Sequence, residues 1–245
     1  GAGGAAQLRQ QPKSGSIERL HENVRRNRAR TSGERSKENG ALIQARQDAA
    51  ALEPLVSSAE VGVSLGTDTK MLHILPRNAW DQELLDVEAA AKQAGISEVV
   101  MVTGLLQVNG GGSPVSITGV AERETNRIVM RVDSRKKTAS ELGLHEIAHF
   151  RSTRENVEAF AAAVQDSGDG WRDTLEEYRE RYKGAANNYE GMTPEDADLY
   201  VWEEIMGDAY AGIDCFGQTA SQYHTEAVRA IDGHAAAADG KRGNL

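Results

Sequence analysis

Two histidines and a glutamate lie close together in the segment ELGLHEIAHFRS, residues 141–152. His145 and His149 are four residues apart, so on a helix their imidazoles project from one face and can reach a single metal ion. Glu146 lies about 100° further round such a helix, where it can face a water on that metal without binding the metal. A pattern this short also arises by chance, and the two histidines would then be surface residues or ordinary hydrogen-bonding groups.

A third ligand would separate these interpretations. The extended pattern His-Glu-x-x-His-x-x-Gly-x-x-His requires glycine at position 152 and histidine at position 155, where this chain has Ser152 and Glu155. The later segment EEIMGDAYAG instead contains Glu204 and Asp208, one helical turn apart. Glu204 can complete a site of two histidines and one carboxylate, while Asp208 orients a ligand histidine through its other ring nitrogen. The adjacent Glu203 is the alternative ligand, but no aspartate follows it one turn later.

Local signals place both sets of residues on helices. Thr138 and Glu141 have the spacing of a capping box, so the first helix should begin at the residue after Thr138. In the second segment, Thr193 is the expected N-cap and Pro194 occupies the first helical position. Gly207 and two nearby alanines would let the second helix approach the first closely.

The segments HEIAH and EEIMGDAYAG together resemble the gluzincin, thermolysin-like branch of the zincin metallopeptidases. The resemblance covers roughly residues 95–230 and is specific at five positions. It implies Zn²⁺ as the cofactor and assigns these roles: His145 and His149 as zinc ligands, Glu204 as the third ligand, Glu146 as the general base and Asp208 as the partner of a ligand histidine. The chain is more similar to the compact zincin domains of phage and mobile-element proteins than to large secreted proteases.

The same family pattern leads us to expect a downstream tyrosine or histidine that stabilises the negatively charged oxygen formed during peptide hydrolysis. Tyr223 and His224, in the segment SQYHTEAVRA, are the candidate catalytic residues for this role, and Tyr210 is a third candidate. A single histidine on a helix is more often structural, so that alternative stays open for His224.

These residues predict a zinc-dependent peptidase that acts on a protein or peptide substrate. Zinc held by two imidazoles and one carboxylate leaves a position for water and lowers its pKa to about 7. Glu146 then accepts the proton as the water attacks the peptide carbonyl, and the strand at residues 128–132 is expected to bind an extended substrate as a further strand. The alternative is a non-catalytic, metal-binding protein of zincin fold with a structural or interaction role, such as a phage or mobile-element component.

The surrounding elements predict an α+β chain that is mostly helical, and the resemblance implies that this fold is zincin-like. It should contain a small mixed β-sheet whose edge strand precedes the histidine helix, because zincins have an edge strand beside that helix. The segment NGGGSP is expected to be a loop. The expected elements are an amphipathic helix at residues 80–93, a strand at 99–103, a hairpin of residues 115–121 and 127–133, and mostly helical structure over residues 138–231.

The beginning of the chain differs in composition from the rest, which predicts two regions. Residues 1–58 should form a basic, partly disordered arm with an Ala-rich helical linker, and residues 59–245 the zincin-like domain. Residues 1–40 contain nine Lys/Arg against four Asp/Glu. The basic stretch at residues 25–30 could contact nucleic acid or an acidic partner. A solvated arm is the simpler interpretation, because no aromatic residue precedes Trp80 to stack on bases.

Composition limits the remaining function classes. No run of about 18 apolar residues occurs, so no membrane span is expected. With a single cysteine, Cys215, a metal would be bound through nitrogen and oxygen ligands rather than a thiolate cluster. The chain begins with Gly1 rather than Met, so we expect that a targeting segment could have been lost. The location of the protein stays open between the cytoplasm, delivery with a larger particle and secretion. The oligomeric state also stays open.

Overall fold

The computed structural model describes residues 15–61, 71–104, 106–110, 113–183, 192–214 and 220–242. Within these ranges the chain is α+β, with most residues in helices, which confirms the coarse fold class predicted above. The helices are α1 (Ser16–Ala29), α2 (Ser32–Ala50), α3 (Gln82–Gln93), α4 (Ala139–Arg151), α5 (Arg154–Asp166), α6 (Trp171–Lys183), α7 (Pro194–Ala211) and α8 (His224–Arg242). The strands are β1 (Leu55–Ser57), β2 (Met71–Ile74), β3 (Glu98–Thr103), β4 (Leu106–Gly110), β5 (Ser113–Ile117), β6 (Gly119–Glu122) and β7 (Arg127–Arg131).

Five of the described strands form a mixed sheet in the order β1-β2-β3-β7-β6. The β3–β7 pair is parallel and the other neighbours are antiparallel. The strand that precedes α4 is therefore β7, which lies between β3 and β6, so the prediction that this strand forms the sheet edge is wrong. Its consecutive residues Ile128, Val129 and Met130 are completely buried, because an interior strand covered on both faces needs apolar side chains on both. The strand at the end of the sheet next to β7 is β6.

The predicted hairpin exists with a shifted first strand. Gly119–Glu122 pairs with Arg127–Arg131 across the segment ERETN. The residues before it belong to β5, which pairs with β4 in a separate two-stranded sheet. The segment NGGGSP is consequently not a simple loop, since Asn109 and Gly110 pair with Pro114 and Ser113. The two glycines between these pairs lie outside the described residues, as do residues 1–14 and Cys215.

Helices α1 and α2 contact the body of the protein, contrary to the expectation of a solvated arm and linker. Ile17, Leu20 and Val24 of α1 are buried in the main hydrophobic core against α3 and α4. On α2, the side chain of Arg46 is only 4% exposed and forms ion pairs with Asp81 and Glu83. The division of the chain after residue 58 stays a prediction, but the two helices before it are packed against the elements that follow.

Helix boundaries around the candidate site follow from the capping residues. The α4 helix begins at Ala139, and Thr138 and Glu141 form the predicted capping box. The α7 helix begins at Pro194, capped by Thr193, and ends where Gly212 adopts a left-handed conformation with φ 71°. The two helices pack against each other, and β6 also contacts α4. None of the helices in the described ranges combines the length and apolar character needed to cross a bilayer.

Candidate metal centre

Three predicted ligands meet where α4 crosses α7. One ligand atom from each of His145, His149 and Glu204 lies within 4.8 Å of the others, an arrangement that could hold a metal ion. The two Nε2 atoms are 2.9 Å apart. The Oε2 of Glu204 lies 3.5 Å from His145 Nε2, and its Oε1 lies 3.3 Å from His149 Nε2. The structure therefore joins two histidines from one helix with a carboxylate from another, as the spacing of these residues predicted.

A glycine on α7 lets the two helices come close enough for this contact. A Cβ atom at Gly207 would lie 3.0 Å from both Cε1 and Nδ1 of His145, which is tighter than ordinary van der Waals contact. A larger residue would force either the His145 imidazole or the two helices to shift. The small residue predicted at this position is thus required by the close approach.

Each of the two histidines has a carboxylate beside its Nδ1 atom. Nδ1 of His145 lies 2.8 Å from Oδ1 of Asp208, and Nδ1 of His149 lies 3.0 Å from Oε1 of Glu203. A carboxylate in this position fixes the tautomer and directs Nε2 toward a metal. The adjacent glutamates consequently have different positions: Glu204 faces the converging Nε2 atoms, whereas Glu203 contacts the far side of His149.

Helix α6 supplies an outer layer that the sequence analysis missed. The Tyr178 hydroxyl donates to Asp208 Oδ2 at 2.5 Å, and the Tyr182 hydroxyl donates to Glu204 Oε2 at 2.8 Å. The tyrosines are four residues apart, the same spacing as the two carboxylates that they contact on α7. That shared spacing is the signal that could have identified them, because equal helical spacing lets paired side chains meet across two adjacent helices.

A second missed residue is Arg123, in the turn between β6 and β7. Its guanidinium donates to the carbonyl oxygen of His149 at 2.5 Å and to Glu203 Oε1 at 2.9 Å. Arg123 therefore joins the β6–β7 hairpin to the end of α4 and holds Glu203 beside His149. The guanidinium side chain is 56% exposed, so nothing in its local sequence distinguished it from other surface arginines.

Glu146 lies beside the ligand group without belonging to it. Its side chain is buried, with the whole residue only 4% exposed. The carboxylate faces the edge strand β6 so closely that a Cβ atom at Gly119 would lie 2.5 Å from Glu146 Oε1. A buried carboxylate that does not belong to the candidate ligand group therefore lies against the backbone of an edge strand.

The centre concentrates buried negative charge. Glu146, Glu204 and Asp208 are all buried, and Glu203 is close by. Burial opposes ionisation of Glu204 and Asp208, but the nearby imidazoles outweigh it and hold the pKa of each carboxyl group well below its usual range. Burial also opposes protonation of His145, yet the charges of Asp208 and Glu204 raise the pKa of its imidazole to about 10. This field favours positive charge between the ligands, and a metal ion that binds there displaces protons.

The structure does not bring Tyr223, His224 or Tyr210 into contact with the ligand group within the described residues. The pKa of Tyr223 is raised by burial, and its hydroxyl hydrogen-bonds to Thr174 on α6. Nδ1 of His224 lies 2.9 Å from the carbonyl oxygen of Ala209. The hydroxyl of Tyr210 donates to Asp232 Oδ1 on α8 at 2.9 Å. The phenol that does contact a predicted ligand is that of Tyr182.

Comparisons with known proteins leave the site to be interpreted from its own geometry. No protein-family model matches the chain, and neither the curated proteins nor the solved structures include a match to it.

Proposed function

We propose that this chain is a zinc-dependent peptidase of gluzincin-like type. The observation that carries the proposal is the position of Glu146, which is buried beside the ligand group and faces the edge strand β6. A metal site that only stabilises a fold has its coordination closed by protein ligands and has no use for an additional carboxylate next to it. The alternative, a metal-binding protein without catalytic activity, leaves the placement of Glu146 unexplained.

The donor set fits zinc. Two imidazole nitrogens and one carboxylate oxygen form a common set of protein ligands at catalytic zinc sites, with one position left for water. The buried negative charge of Glu204 and Asp208 favours a dication, and each histidine has a carboxylate that orients its ring. Bound zinc would supply a Lewis acid and lower the pKa of a water molecule to about 7.

Glu146 has the properties of a general base for this reaction. Burial raises the pKa of its carboxyl group above the ordinary value, with partial compensation from His145 and His149. A base whose pKa lies nearer to neutrality transfers protons more effectively at neutral pH. Glu146 would take a proton from the attacking water and deliver it to the amine nitrogen of the departing peptide.

An extended substrate would bind along β6 rather than along the strand at residues 128–132. Both edges of β7 are occupied, by β3 and by β6. Within the described ranges, no strand pairs with the outer edge of β6. A peptide added there would form backbone hydrogen bonds with β6 and would pass next to Gly119, where Glu146 lies. Recognition through the backbone is compatible with many substrate sequences.

Tyr182 is the residue to which we assign stabilisation of the negatively charged oxygen. Its hydroxyl is 2.8 Å from Glu204 Oε2, whereas Tyr223, His224 and Tyr210 contact other groups. This hydroxyl has a single proton, which it donates to Glu204 when no substrate is present. With a peptide bound, it would turn to donate the same proton to the oxygen that develops negative charge on the peptide carbonyl. Tyr182→Phe should therefore lower kcat by about tenfold or more while zinc remains bound, since Tyr182 is not itself a ligand.

The test compares zinc content and peptide hydrolysis in the native chain and three variants. Glu146→Gln should retain zinc and lose turnover, because it removes the base and leaves the ligands unchanged. Glu204→Ala should weaken zinc binding, because it removes a ligand. Glu155→Gln, at an exposed position on α5, is the control and should match the native chain. Zinc binding with activity insensitive to Glu146→Gln would favour the non-catalytic alternative, and a native chain that binds no zinc would refute the proposal.

A further inference from the structure

A basic cleft lies at the other end of α4, between the α1–α2 corner and the loop that leads into α4. Its volume is about 650 Å³, within the range of sites that hold small ligands. The cleft is lined by six cationic and three acidic side chains, so the formal charge of its lining is +3. The net charge of the whole chain is −9. The cations are Arg28, Arg35, Arg46, Arg135, Lys136 and Lys137.

The acidic side chains of the cleft already have partners. Glu83 accepts from Arg46 and from Ser140, and Glu141 belongs to the capping box of α4. Asp214 lies 3.7 Å from Arg28. The ion pairs of Glu83 and Asp214 offset the charge of these two carboxylates. Burial raises the pKa of Glu141 despite its hydrogen bonds to Thr138.

Four of the cations form no ion pair at contact distance with the described residues. They are Arg35 on α2 and Arg135, Lys136 and Lys137 in the loop. Lys137 still interacts over a longer distance with Glu141, whose pKa it lowers. They come from opposite walls of the cleft, so their positive charges converge on the space between. Like charges brought together in this way repel one another, and an anion bound between them would relieve the repulsion.

Polar side chains complete the cationic lining. Ser32 and Ser36 lie in the first turns of α2, and Asn39 follows one turn later. Ser134 and Asn27 add further polar side chains from the loop and from α1. Hydroxyl and amide donors together with guanidinium groups are the usual surroundings of a phosphate group.

We propose that this cleft binds a small anion that carries several phosphate groups. Guanidinium groups bind phosphate oxygens in pairs, and four cations without an ion pair at contact distance suit the negative charge of an oligophosphate. Among the described residues, no aromatic side chain lines the cleft for stacking on a nucleic-acid base. The described parts of its walls are helices and a loop, without a sheet edge on which an acidic peptide could form backbone hydrogen bonds. The phosphate groups themselves are therefore what the cleft recognises.

The direct test titrates inorganic tripolyphosphate into the full chain and measures heat at low salt. The expected result is saturable binding at one site that weakens as salt is added. In the variant Lys136→Gln/Lys137→Gln the affinity should fall by about tenfold or more. The matched control is Lys37→Gln/Lys92→Gln, which removes the same charge outside the cleft lining and should bind like the native chain.

Three outcomes would overturn the proposal. The first is an absence of saturable tripolyphosphate binding, and the second is equal affinity in the native chain and the Lys136→Gln/Lys137→Gln variant. The third is tighter binding of a poly-glutamate peptide or a thymidine oligonucleotide, which would assign the cleft to a macromolecule. If the double variant does not fold, Arg35→Gln tests the opposite wall, with the same loss of affinity expected. Zinc content should be unchanged in all these variants, so this proposal can fail while the peptidase proposal stands.

Discussion

The contact between Gly119 and Glu146 allows the proposed role of Glu146 to be tested without changing Glu146. Gly119 is paired with Met130 in β7 and has no positive φ, so the backbone itself accommodates alanine. In Gly119→Ala, however, the new Cβ atom would lie 2.5 Å from Glu146 Oε1 and 3.0 Å from its Cδ. Ordinary contact begins at 3.4 Å. The carboxylate must therefore move away by roughly 1 Å, because β6 is held by its pairing with β7.

The size of the effect follows from this displacement. Moving a catalytic group by about 1 Å can lower the rate about a hundredfold, which corresponds to roughly 2.7 kcal/mol in the activation free energy. Zinc should remain bound, because neither Gly119 nor Glu146 belongs to the ligand group. We therefore expect kcat/KM for a peptide substrate to fall about a hundredfold in Gly119→Ala, with the zinc content of the native chain.

The assay measures peptide hydrolysis and bound zinc on the same samples. Gly40→Ala serves as the matched control, since a Cβ atom at Gly40 meets nothing within 4 Å. Alanine is favoured over glycine within α2, so this control should be as stable as the native chain or slightly more stable. A Gly119→Ala variant that carries full zinc and hydrolyses peptide within about threefold of the native rate would refute the reasoning.

Three other perturbations test the surrounding structure. Gly207→Ala should weaken zinc binding about tenfold or more, because the new Cβ atom would lie 3.0 Å from the His145 ring. Competition with a chelator measures this affinity, and an unchanged zinc affinity would contradict the importance of the close approach. Burial, and then the charges of His224 and Arg25, lower the pKa of His21 to about 4. The unfolded metal-free chain therefore binds more protons than the folded one, and the free energy of unfolding should fall by about 3 kcal/mol as the pH drops from 6.5 to 4. In His21→Gln, urea unfolding should show a decrease over the same pH range that is smaller by about 3 kcal/mol. Arg46→Met should lower the free energy of unfolding by about 3–5 kcal/mol, because it leaves the ion-pair partners of Arg46 without a cation; equal urea midpoints would contradict this.

Features that depend on neighbours along the chain could be predicted from the sequence. The starts of α4 and α7 follow from the caps at Thr138 and Thr193, since each cap satisfies backbone N–H groups within one turn. The convergence of His145 and His149 follows from helical spacing. For the same reason the pairing of Glu204 with Asp208 on one face of α7 was predictable, because side chains four residues apart lie one above the other.

Features that depend on which elements become neighbours required the tertiary structure. Sequence spacing left Glu203 open as the third ligand, and only the crossing of α4 and α7 places Glu204 at the two Nε2 atoms and Glu203 behind His149. In the same way, Tyr182 reaches Glu204 only because α6 lies against α7. Contacts of this kind join residues far apart in the chain, so no local spacing rule predicts them.

The sequence by itself determined the helices, their caps and a set of residues capable of binding a metal. The tertiary structure decided which of those residues meet, and it replaced β7 by β6 as the sheet edge beside Glu146. It also brought the α1–α2 corner against the loop before α4, which creates a basic cleft in an acidic chain. The physical reason is the range of the interactions: a helix forms through hydrogen bonds between residues four apart, whereas strand order and the crossing of helices depend on burying apolar surface between distant segments.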